Sequence, residues 1–68
     1  MKNTIRVERA VLNITQEELA KRVNVSRQTI NTIEAGKYVP STVLSLKIAK
    51  VFSKTVDEVF LLEDSDWK

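Results

Sequence analysis

NVSRQTINTIEAG, residues 24–36, holds a helix start, a helix stop, two large apolar residues inside the helix and a surplus of polar groups that the helix does not need. Ser26 reads as an N-cap, its hydroxyl placed to accept a first-turn N–H, with Val25 and Ile30 at hydrophobic-staple positions. Gly36, the only glycine in the chain, falls where a left-handed residue stops a helix. At 100° per residue, Ile30 and Ile33 lie about 60° apart and mark the buried side. Opposite them Arg27, Gln28, Asn31 and Thr32 spread over an arc of about 140°. A solvated helix face usually mixes Lys and Glu at i, i+4, whereas this one has no such pairing and poorer helix propensity. Its side chains suit base edges instead: Arg matches guanine O6/N7, Gln or Asn matches adenine N6/N7, and the Thr methyl matches a thymine methyl. Glu34 lies off the arc, towards the core side.

Outward from this stretch the punctuation continues. Thr15 with Glu18 predicts a capping box, with Ile14 and Leu19 as the staple, and Thr55 with Glu58 predicts a second box. Ser41 caps another helix after Pro40, which keeps Val39 out of helical conformation. The spacing predicts five helices at about 3–12, 16–23, 27–35, 42–52 and 56–61, and a tail over 62–68. Leu19, Ala20, Val23, Ile30, Ile33, Leu44, Ile48, Val51, Phe52, Val59 and Phe60 recur at helical spacing as one core. The expected fold is all-α, one compact domain over 1–68, and two strands pairing into a sheet within 1–61 would contradict it. Only Asn24, Val25 and Ser26 separate the second and third helices. So short a link needs a sharp turn with one residue at positive φ, which Asn24 tolerates, and that is a helix-turn-helix.

Composition narrows the function. Sixty-eight residues without Cys or His exclude disulfides, thiolate nucleophiles, imidazole catalysis and Cys/His metal sites. Lys21-Arg22 and Lys47 lack the flanking glycines of a phosphate loop. No catalytic residue, metal, cofactor or small-molecule ligand is therefore expected, and an enzyme is the poorest class. Met1-Lys2-Asn3-Thr4 leads straight into a charged amphipathic segment with no signal peptide, and no apolar run has bilayer length, so a cytoplasmic protein without a membrane partner is expected. Charge is uneven: residues 1–54 carry ten Lys/Arg against four Glu, and 55–68 carry one Lys against five acids. A basic body with an acidic end points to a polyanionic partner.

Residues 15–41, TQEELAKRVNVSRQTINTIEAGKYVPS, resemble the lambda-repressor-like family, the Cro, phage-repressor and XRE-type regulators. With the first helix and KIAKVFSKTVDEVF at 47–60, the resemblance covers nearly the whole chain. It implies a small stand-alone transcriptional regulator that binds double-stranded DNA. By this resemblance Gln28 reads adenine, and Arg27, Asn31 and Thr32 occupy variable base-reading or phosphate positions. Gln16 binds a phosphate and braces the recognition helix, a placement that also suits the free N–H groups beside Thr15. Ser26, at the start of the recognition helix, is assigned to phosphate with them. Lys37 and Tyr38 fall in a loop along the DNA backbone, and Arg9 with Glu34 match a partly buried structural ion pair. Asn13 and Asn24 replace the family's turn glycines. Glu8 replaces a common core leucine, while Val7 and Val11 form an apolar pair whose direction, inward or towards a partner, stays open.

One helix-turn-helix touches few base pairs, so two copies are expected on half-sites one turn apart, about 10–10.5 base pairs. Phe60, Leu61, Leu62 and Trp67 are the candidates for a twofold homodimer contact, although Phe60 reads as well as a cover for the core. The expected function is that of a repressor on an inverted-repeat operator. The alternative is a protein-interaction or antitoxin-like module that keeps the fold and reads no operator.

Overall fold

The computed structural model describes all 68 residues: β1 (Lys2–Asn3), α1 (Ile5–Leu12), α2 (Gln16–Val23), α3 (Arg27–Glu34), α4 (Thr42–Val51), α5 (Val56–Val59), β2 (Phe60–Leu61) and a 3-10 turn at Asp64–Trp67. The caps do much of the positioning. Thr15, Ser26 and Ser41 each accept the N–H of the residue three ahead, at 3.0, 3.1 and 3.1 Å. Thr15 makes only half of its expected capping box. The Glu18 carboxylate turns instead to Arg22, 2.7 Å away at i+4, where an ionic partner is stronger than a backbone amide.

The core is built from α1 to α5 around Ile5, Leu19, Val23, Ile30, Ile33, Ile48 and Val59, all nearly sealed from solvent. Each such burial is worth about 1.5–3 kcal/mol. Leu44 and Val51 pack only at its margin, and Ile5, Ile14 and Ala49 join it. Ile5 enters at the first position of α1, which begins later than the spacing predicts. Asn3 Oδ1 accepts the Ile5 N–H at 3.1 Å, and Asn3 Nδ2 donates to the Ile33 carbonyl at 3.0 Å. One side chain thus starts α1 and satisfies the end of α3, which holds Asn3 out of the helix.

This displaced start produces the one departure in class-level expectation. Lys2 pairs with Leu61 and Asn3 with Phe60 in a two-stranded antiparallel sheet. The requirement that no sheet form within 1–61 is overturned, since backbone N–H groups flanking α1 and α5 need partners once those helices end. Five helices remain, and the fold is all-α with this small clasp. The clasp also ends α5 at Val59 and leaves Phe60 packed in the core.

Between α2 and α3 the chain turns at Asn24 (φ 60°), whose successor Val25 donates back to the Ala20 carbonyl at 3.0 Å. Gly36 (φ 77°) ends α3 in the same way, with Lys37 N–H on the Thr32 carbonyl at 3.0 Å. Asn13 does so for α1 and Ser53 for α4. Ser53 carries no sequence signal, because serine is not a favoured left-handed residue. Glu8, in a usual leucine position, is half-buried with Lys54 Nζ 3.7 Å from its carboxylate. Val7 and Val11 face outward, 61% and 72% exposed.

The turn gives a direct test. Asn24→Gly should leave the melting temperature unchanged or raise it. Asn24→Val should cost about 1–2 kcal/mol of unfolding free energy, the penalty of a left-handed non-glycine residue; equal melting of both variants would contradict the turn geometry.

Candidate nucleic-acid interface

With Ile30 and Ile33 buried against the core, α3 has one side left for solvent. Arg27, Gln28 and Asn31 are exposed there. Thr32 is half-buried, and its hydroxyl is committed, lying 3.0 Å from both the Gln28 and Thr29 carbonyls. Such back-bonding leaves the Thr32 methyl as the group free to contact a partner. The surface therefore offers a guanidinium fork, two amides and a methyl, on a helix whose backbone is already satisfied.

One carboxylate fixes how this helix sits. Glu34, at the end of α3, is only 4% exposed at its side chain. Arg9 of α1 donates to it through Nη2 at 2.8 Å and Nε at 3.3 Å, and Gln16 of α2 donates Nε2 at 2.9 Å. Arg9 also reaches the Ile14 carbonyl at 3.1 Å, in the link between α1 and α2. Three helices therefore meet on two oxygen atoms. Burial pushes the Glu34 carboxyl pKa up, but the Arg9 and Gln16 hydrogen bonds and the Arg9 charge outweigh it, with Arg6 adding to them, and hold it below its ordinary value of 4.5.

Gln16, assigned to phosphate by the resemblance, thus spends one amide N–H on Glu34 and retains the other. Beside it a shallow cavity of about 500 Å³ connects Thr15 and Gln16 to Arg9 and Arg27. The start of α2 and the start of α3 are brought together there. Thr15 and Ser26 hydroxyls serve as caps, and Ser26 Oγ also lies 3.0 Å from Thr29 Oγ1. Lys37 and Tyr38 are exposed in the loop after α3. Phe60 is buried, apart from the exposed Leu61, Leu62 and Trp67.

Sequence reading passed over Arg6. Its Nε is 3.5 Å from Glu34 Oε1 while the side chain stays 86% exposed. The spacing to Arg9, three residues on the same helix, was the available signal. Asn3 was missed too, since nothing in its neighbours marks it as the ligand of a helix end thirty residues away.

Comparison with known proteins places this geometry. A family model described as helix-turn-helix matches residues 5–59. A relative from Methanocaldococcus jannaschii, described as an uncharacterized HTH-type transcriptional regulator, is 52% identical over 66 residues, 97% of this chain and all of the relative. The HTH-type transcriptional activator BcrR of Enterococcus faecalis is 42% identical over 76% of this chain and 26% of its own length. Among solved structures, the P22 c2 repressor in complex with a synthetic operator superposes with a TM-score of 0.75 at 32% identity, over 78% of this chain and 80% of that one.

The Glu34 junction generates a stability prediction. Glu34→Ala should cost about 3–5 kcal/mol, because it strands a partly buried Arg9. A folded-state pKa below the unfolded value means that stabilisation is complete above pH 4.5 and declines as pH falls through the lower folded value. Wild type and Glu34→Gln should therefore converge in stability on acidification; a gap constant from pH 7 to pH 2 would contradict the junction.

Proposed function

The chain belongs to the helix-turn-helix family of DNA-binding transcriptional regulators, which are not enzymes, and on that premise we propose that it is a cytoplasmic repressor acting as a homodimer on an inverted-repeat operator. The exposed arc of α3 carries this reading. Arg27, Gln28, Asn31 and the Thr32 methyl enter the major groove and select bases, while Thr15, Gln16, Ser26, Lys37 and Tyr38 hold the backbone. Ser26 acts through its backbone end of α3, its hydroxyl being engaged as a cap. Repression follows from occlusion of a promoter and needs no ligand domain.

The dimer contact is assigned to Leu61, Leu62 and Trp67, with Phe60 supporting it from the core. What favours it is apolar surface in excess of one small core: Leu62 and Trp67 are 62% and 77% exposed. Phe60 also lines a mostly apolar cavity of about 420 Å³ with Val39, Pro40, Leu46 and Val56, so apolar surface extends beyond the tail. Acids at Glu63, Asp64 and Asp66 keep this end away from DNA by like-charge repulsion.

Gln28→Ala should lose discrimination at one base pair per half-site, worth about 1–3 kcal/mol, while Lys37→Ala should weaken all sequences alike. Equal loss of affinity on operator and random DNA for Gln28→Ala would refute its base-reading role. In sedimentation equilibrium the chain should behave as a dimer that Leu62→Asp with Trp67→Asp converts to a folded monomer. A variant that stays dimeric would remove these residues from the contact.

A further inference from the structure

The positive charge that α1 presents to Glu34 exceeds what one carboxylate needs. Arg9 and Gln16 already supply three hydrogen bonds to its two oxygens. Arg6 approaches with its Nε at 3.5 Å while its side chain stays 86% exposed, which leaves its guanidinium largely open to solvent. Two guanidinium groups against one carboxylate leave a unit of positive charge, and Arg6 is the group that carries it into solvent.

Direction matters as much as charge. Seven residues separate Arg27 from Glu34, so at 100° per residue the two leave α3 within about 20° of each other and about 10 Å apart along its axis. Gln16 shares a cavity with Arg27 at the edge of the reading face, and Arg6 meets the same Glu34 carboxylate that Gln16 does. A recognition helix lying in the major groove has a phosphate strand running beside such an edge. The Arg6 fork is the donor geometry that binds phosphate in two places at once.

We propose that Arg6 is a DNA backbone contact and that Glu34 is its positioning residue, so that one buried carboxylate holds two phosphate ligands, Gln16 and Arg6, on the same flank of α3. Glu34 touches no phosphate. Its own charge is cancelled by Arg9, which lets it anchor an arginine close to DNA without repelling the backbone. The proposal rests on the DNA-binding reading above.

The test uses the full chain and a mixed-sequence DNA duplex, with affinity followed against salt concentration. For Arg6→Gln, the slope of log K against log salt should fall by about 0.9 per protomer, the signature of one lost phosphate contact. Arg6→Lys should restore the slope. Lys54→Gln, which removes the same charge beside Glu8 on another side of α1, should leave it unchanged. Thermal melting of Arg6→Gln should match wild type, because Arg9 and Gln16 still satisfy Glu34. An unchanged slope in Arg6→Gln, or an equal fall in Lys54→Gln, would overturn the assignment. Wild-type protein with no salt-dependent DNA binding would overturn the underlying reading instead, a failure visible before any variant is compared.

Discussion

The Glu34 carboxylate sets the conditions for everything α3 presents. It sits at the end of the helix, almost sealed from solvent, and takes donors from α1 and α2. A buried charge of this kind is expensive unless its lone pairs are filled. Here they are filled by groups that come from the two neighbouring helices, so satisfying the charge and orienting α3 are the same event. Asn3 performs the neutral version one residue away, giving its amide to the Ile33 carbonyl. With its C-terminal end fixed by both, and Ile30 and Ile33 locked in the core, α3 cannot rotate to bury its amides.

Much of this was legible from short-range chemistry. Capping serines and threonines and Gly36 placed the ends of the helices that carry the site, because each signal acts within a few residues. Asn24 at positive φ followed from the brevity of its link. What escaped depended on distance. The β1–β2 pairing joins residues about sixty apart, and two-residue strands leave no alternation to read. Asn3 looks like a helix-start residue until its partner at Ile33 is known, and this moved the predicted start of α1. Ser53 adopts a left-handed conformation without belonging to the residue types that favour it. In the candidate site, the outward exposure of Arg27, Gln28 and Asn31 was readable, whereas the engagement of Thr32 and Gln16 was not, since hydrogen-bond partners are a tertiary property.

Basic and amide groups gather around α3 and the start of α2, while acids and exposed apolar residues gather around β2 and the 3-10 turn, where Glu63 shares a cavity with Glu34 and Gly36 at the end of α3. Glu63 and Asp66 lie 3.0 and 3.3 Å from the Met1 amine, so part of the acidic end is neutralised by the strand it clasps.

The decisive measurement is selection of bound sites by the purified chain from a random pool of duplex DNA, at moderate salt with competitor present. An enriched inverted repeat, with half-sites about 10–10.5 base pairs apart, is the predicted result and would mean that the outward face of α3 reads sequence in a paired protein. Recovery of no preferred site, with only weak and steeply salt-dependent binding, would contradict that claim and favour an interaction module built on the same fold.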